Sequence, residues 1–317
     1  MNTTPLVSVV IPCYNQARYL AGALSSVRRQ DWPSLESIVI DDGSSDDTSR
    51  VAELLGASLV KRQPNRGLSH ARNAGLEIAA GEFIVFLDAD DELLPGAIHD
   101  GCRAFARMPG VDCIAGRCRL IDTGGRPLPT TYPPVTSGDL YAELLKVNFI
   151  WTPGAAMFRT SALRAMGGFP VTEPAAADYA VMLALARNGR LAFETRDVVR
   201  YRKHDANMSR DPMLMLGAVL SVLNRERPFI PDRCRETFTE GRRRWRAFYG
   251  EQLNVQLRHE WRGARRPWRL VKGAVFYFWH CPRDFVVHFW RKFTRVIRKL
   301  PPSEIDQHGR ERAQPLL

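Results

Sequence analysis

The chain begins with an apolar run, Val7-Ser8-Val9-Val10-Ile11, β-branched and uncharged, the pattern of a strand buried on both faces. Between residues 16 and 30 the period changes. Leu20, Ala23, Leu24 and Val27 recur at i, i+3, i+4 and i+7, which predicts a helix with one apolar face. The alternation then repeats. Further strands are expected at Ser37 to Ile40, Ala57 to Lys61, Glu82 to Leu87 and Asp112 to Arg119. Helices are expected at Asp46 to Leu55, with Val51, Leu54 and Leu55 inward and Gly56 just past its end, and at Ser69 to Ala80, stopped by Gly81. Another runs from Pro95 to about Met108, since proline suits a first helical turn. Residues 124–138 are rich in Gly, Pro and Thr and read as an exposed loop. Residues 139–205 return to mixed structure, and helices dominate from about 212 to 300.

This βαβαβα rhythm predicts an α/β fold with a doubly wound, mixed but mostly parallel sheet. Ligands of such sheets bind beyond the carboxyl ends of the strands. Here those ends read Pro12-Cys13-Tyr14-Asn15, Asp41-Asp42-Gly43-Ser44 and Asp88-Ala89-Asp90-Asp91. Converging on one edge, they would form an acidic pocket with an aromatic wall. Asp88 and Asp90 are hard oxygen ligands of the kind Mg²⁺ or Mn²⁺ takes beside a phosphate, or else acidic loop residues ahead of Pro95. Asp41 and Asp42 would accept hydrogen bonds from a base or ribose, or simply close a turn. Tyr14 and Asn15 sit where a ring could cover a nucleobase, unless Tyr14 belongs to the core. Arg72, one turn into its helix, reaches a nucleotide or stays a solvated charge.

In this order and spacing the segments resemble the inverting family 2 glycosyltransferases of the GT-A fold. The carriers are residues 7–15, 39–48, Asn65-Arg66-Gly67 with Ala71-Arg72-Asn73-Ala74-Gly75, and 81–91. The strong match covers residues 5–100 and a weaker one runs to about 210. The resemblance implies a Rossmann-like nucleotide-sugar-binding half over 1–120 and an acceptor half over 121–210. It implies that Pro12, Tyr14 and Asp42 hold the base, that Asp88 contacts the ribose or the metal's water shell, and that Asp90 ligates Mn²⁺ or Mg²⁺ at the diphosphate. The family's acidic base lies after a Gly-Gly-Phe turn. Here Gly167-Gly168-Phe169 is followed by Asp178, with Ala177 where the family usually carries glutamate. A carboxylate at a helix start is expected to keep a low pKa through the dipole. Tyr201-Arg202-Lys203-His204 resembles the family's Tyr-Arg-x-His segment, which makes His204 a contact for the metal or the diphosphate. Trp151 either lines the acceptor pocket or packs in the core.

Charge adds a second theme. The net charge is +11, yet residues 241–300 alone hold 16 Lys and Arg against Glu251, Glu260 and Asp284, a balance of 16 − 3 = +13. Five of the seven tryptophans, Trp245, Trp261, Trp268, Trp279 and Trp290, lie there too. Residues 211–302 therefore read as a basic, aromatic-rich helical extension and 303–317 as a tail. The extension suits an anionic membrane surface, or a cap with a solvated basic face; nucleic acid is a weaker fit. Six scattered cysteines without a zinc-like pairing are expected to be reduced and buried, as in a cytosolic protein, peripheral at most to the inner face of the membrane. The expectation is thus a glycosyltransferase of cell-surface polysaccharide or glycolipid assembly, using a UDP-sugar and a glycan or lipid-linked acceptor. Two rivals are a sugar-nucleotide pyrophosphorylase, which would need a Gly-rich phosphate loop after the first strand, and a catalytically inactive surface-binding protein on the same fold.

Overall fold

The computed structural model describes residues 4–135, 138–263 and 267–282. The expected tail at 303–317 and the last part of the extension lie outside the described residues.

Strand β1 (Val7–Cys13) is buried at every position and forms the axis of the sheet. It pairs in parallel with β2 (Leu35–Asp41) on one side and β4 (Phe83–Phe86) on the other, and β2 pairs in parallel with β3 (Leu59–Arg62). The crossovers are α1 (Ala17–Arg28), α2 (Thr48–Leu54) and α3 (Leu68–Ile78). The strand and helix order is that read from the periodicity, with ends shifted by at most two residues. Leu20, Ala23, Leu24 and Val27 of α1 are all buried, as their spacing requires. Helix α3 comes so close to β1 that a methyl group on Gly75 would overlap the Val10 side chain.

Two local expectations fail. Leu54 is 74% exposed, and α2 buries Thr48 and Ala52 instead. The helix lasts only seven residues, so its inward face is one narrow stripe set by the sheet rather than by the largest apolar side chains. Pro95 does not open a helix. Left-handed Gly96 (φ 78°) stands at the N-cap, and α4 runs Ala97–Arg107.

Beyond β4 the sheet changes direction. The two-residue β5 (Glu92–Leu93) follows the acidic turn, and β6 (Cys113–Ile121) follows α4. Helix α5 (Leu140–Lys146) precedes β7 (Ala156–Arg159), which inserts antiparallel between β4 and β6. Helices α6 (Thr160–Ala165) and α7 (Ala177–Arg187) lead to β8 (Leu191–Arg202), parallel to β6 and antiparallel to β5. The sheet order is β3-β2-β1-β4-β7-β6-β8-β5. Helix α8 (Pro212–Glu226) is tied to this body: Glu226 accepts from Tyr141 Oη and Arg187 Nη1, both at 2.8 Å. The first compact unit runs to Trp245. The second unit begins inside α9 (Arg235–Gly263) and contains α10 (Pro267–His280). All six cysteines are buried free thiols, and burial pushes Cys102 and Cys118 up to about 12.

Candidate functional site

Because β1, β2 and β4 are parallel, their carboxyl ends share one edge. Past β1, Tyr14 turns out to solvent at 52% exposure, so it is not a core residue. Asn15 takes a left-handed conformation (φ 54°), and its Oδ1 accepts from Ser45 N at 2.8 Å. Pro12 is buried within the strand.

The two aspartates after β2 have different tasks. Asp41 is 1% exposed and accepts from Ser44 N and Ser49 Oγ, with Arg62 nearby. Burial acts to raise its pKa, but these partners outweigh it and hold the carboxyl below its ordinary value. Asp41 thus closes the turn. Asp42 reaches across to the loop before α3. It accepts from Gln63 Nε2 (2.8 Å), Arg66 N (3.0 Å) and Gly67 N (2.8 Å) and so fixes the entry to that helix.

Arg72 is not a solvated charge. It is 3% exposed, donates from Nη2 to Asp88 Oδ1 at 2.9 Å, and lies 5.4 Å from the centre of the Phe169 ring. Its Nε has no hydrogen-bond partner. Phe169 is fixed in turn by Asn73, whose Oδ1 accepts from Phe169 N and whose Nδ2 donates to Phe169 O, both at 2.8 Å. The Gly-Gly-Phe turn is thereby pinned to α3, 96 residues earlier in the chain.

Asp178, half-buried in the first turn of α7, lies within electrostatic reach of Arg72 and Asp88. The expected low pKa is reversed. Burial raises it, Asp88 adds to the rise, and the Arg72 charge pulls the other way. The dipole of a helix start is worth a fraction of a kcal/mol, whereas withdrawing a carboxylate from water costs more.

His204 Nε2 lies 2.7 Å from Asp90 Oδ2. Tyr19 stacks on the imidazole, with ring centres 5.2 Å apart. Burial and then the Asp88 charge raise the Asp90 pKa, against the pull of His204. Among the described residues no cluster of three or more His, Cys, Asp and Glu side chains is arranged to hold a metal by itself. The Asp90 carboxylate is the donor type that Mn²⁺ or Mg²⁺ takes, and with His204 beside it a cation would need its remaining oxygens from a bound ligand.

Three supporting residues escape motif reading. Asp91 is fully buried; it accepts from Thr152 Oγ1 (3.1 Å) and Arg202 N (2.9 Å), and burial pushes its pKa well up. Arg202 also donates to Asp90 O (2.8 Å) and to Glu92 Oε1 (2.7 Å), which locks the acidic turn onto β8. The third aspartate of the turn and the arginine two places before His204 were the only signals for this lock. Trp151 is half-buried and stacks on Tyr132 at 6.0 Å, against the exposed loop.

Residues 8–167 match the family model described as glycosyl transferase family 2. An uncharacterized glycosyltransferase of Nostoc is 31% identical over 216 residues, covering 63% of this chain and 66% of the relative. The chain thus spans about two thirds of that protein's length. Among solved structures, S. aureus TarS (residues 1–349) in complex with UDP-GlcNAc has a TM-score of 0.62 at 18% identity, covering 88% of this chain and 82% of that one. A mannosyltransferase of Pyrobaculum calidifontis in complex with GDP-Man and Mn²⁺ has a TM-score of 0.59 at 20% identity, covering 94% and 89%. These two likenesses concern the fold.

Proposed function

The chain belongs to glycosyl transferase family 2, and on that ground we propose that it moves a sugar from a nucleotide-sugar donor to an acceptor hydroxyl with inversion. The observation that carries this reading is the joining of Asp88, Arg72 and Asp178 into one electrostatic cluster beside the Asp90–His204 pair. Donor-side and acceptor-side groups thereby meet where the strand ends converge.

The nucleoside lies along the edge formed by Pro12, Tyr14 and Asn15, with the exposed Tyr14 ring available to cover the base. Asp42 shapes the floor through its bonds to residues 63–67 and offers its remaining lone pairs to the base. Asp88, oriented by Arg72, takes the ribose side. Asp90 and His204 hold the divalent cation, Mn²⁺ or Mg²⁺, which when bound offsets charge gathering on the diphosphate. The Pyrobaculum structure with GDP-Man and Mn²⁺ supports a cation of this kind, and the TarS structure with UDP-GlcNAc supports a UDP-sugar.

Asp178 is the base. The acceptor oxygen forms a new bond to the anomeric carbon, and the bond from that carbon to the diphosphate oxygen breaks. The nucleoside diphosphate leaves with the bonding electron pair, and the acceptor proton passes to a carboxylate oxygen of Asp178. A raised pKa suits this task, because a carboxylate shielded from water binds a proton more readily than a solvated one. Trp151 and Tyr132 form an aromatic wall suited to a glycan or lipid-linked acceptor. The test is Asp178→Asn, assayed for nucleoside diphosphate release and for donor-induced thermal shift with Mn²⁺. Release should fall by at least about a hundredfold, within the usual range for a lost general base, while the shift persists. Retained release would remove Asp178 from the chemistry.

A further inference from the structure

Helix α10 has two apolar sides. One packs on α9: Tyr277 and Cys281, just past the helix end, are 3% and 2% exposed, and a methyl group on Gly273 would come within 2.6 Å of Leu257 Cδ2. The other side faces out. Val271, Val275, Phe278 and Trp279 are 54%, 61%, 52% and 77% exposed. Their spacing of i, i+4, i+7 and i+8 gathers them in an arc of about 100° on the helix. Exposed Lys272 borders that arc. A contiguous strip of this kind marks an interaction surface more often than a solvated helix.

Charge indicates the occupant. Arg262, Arg265 and Arg266 precede the helix and Arg283 follows it in sequence, within a segment of +13. A second copy would bring the same positive charge against itself. Nucleic acid would favour aromatic stacking along a strand, which Val271 and Val275 cannot provide. An anionic lipid surface accepts both the apolar strip and the cationic flanks. The helix has 14 residues, a length of about 21 Å, against a hydrocarbon core of about 30 Å. It can lie in the interface but not cross it, and none of the described helices is long and apolar enough to cross a membrane.

We propose that α10 docks in the plane of an anionic membrane, with Val271, Val275 and Trp279 immersed at the acyl boundary and Lys272 among the headgroups. None of these residues belongs to the unit that carries the catalytic cluster, so this surface is tested apart from the chemistry.

The experiment is co-sedimentation of the full chain with vesicles of phosphatidylcholine, with and without phosphatidylglycerol. Binding should require the anionic lipid and weaken with salt. Val275→Asp and Trp279→Ser, both at exposed positions, should each reduce it by about tenfold, equivalent to roughly 1.4 kcal/mol. Lys272→Glu should reduce it as well. Nucleoside diphosphate release without vesicles and the helical circular dichroism should match the parent. Absence of binding to anionic vesicles, or binding unaltered by Val275→Asp and Trp279→Ser, overturns the proposal. So does self-association, or capture of a single-stranded oligonucleotide, that these same substitutions abolish.

Discussion

Replacing Arg72 by methionine keeps most of the side-chain volume and removes the charge. In the protein this guanidinium is 3% exposed and holds Asp88 Oδ1 at 2.9 Å, with Asp88 itself 25% exposed. Two unit charges about 4 Å apart interact by about 4 kcal/mol at an effective dielectric of about 20. The partial exposure of Asp88, and relief of the cost of burying the guanidinium, reduce the net loss to about 1–3 kcal/mol. For a chain of this size that lowers Tm by roughly 2–10 °C. The sharper readout is pH. Arg72 is the largest influence drawing the Asp178 pKa down against burial. Without it Asp178 holds its proton to higher pH, so the acid limb of kcat moves upward. Arg72→Lys keeps a charge but loses the planar fork; it should restore the limb while leaving part of the rate defect. The assay is kcat against pH at saturating donor, beside a thermal melt. A limb that stays in place for Arg72→Met while Tm falls would refute the coupling and leave Arg72 a structural cation.

Other outcomes follow from the same geometry. Asp178→Asn, inactive in transfer, should be more stable than the parent at neutral pH. The folded pKa of Asp178 lies above 3.8, so ionisation costs stability as pH rises through it, and the advantage should vanish near and below pH 3.8 in urea titrations. Asp90→Asn should abolish the Mn²⁺-dependent part of the thermal shift given by UDP; an unchanged metal dependence would remove Asp90 from the cation site. Gly75→Ala should destabilise by about 1–3 kcal/mol through overlap with Val10, despite the better helix propensity of alanine, and Val10→Ala should recover part of that loss in denaturant melts.

Much of the first half was legible because its information is local. A fully apolar run can be satisfied only as a buried strand, and the 3.6-residue stripe of α1 only as a helix lying on that strand. Three parallel strands then necessarily bring Tyr14, Asp42 and Asp88 to one edge. The contact of Asp90 with His204 was not readable, since the two are 114 residues apart and no periodicity links them; the family resemblance only made each a candidate cation contact. Where local rules erred, a tertiary contact had overruled them. Leu54 lies outside because a short helix offers the sheet one narrow stripe, and Pro95 opens no helix because left-handed Gly96 holds the N-cap.

The sequence by itself thus determined the alternation of elements, the edge at which the strand-end motifs gather and the position of the basic segment. Those follow from side-chain order along one stretch of chain. Only the tertiary structure decided the antiparallel insertion of β7, the clamp of Asn73 on Phe169, the lock of Asp91 by Thr152 and Arg202, and the upward shift of Asp178. Each depends on burial and on groups distant in sequence, and a carboxylate's proton affinity is a property of the space around it rather than of its neighbours in the chain.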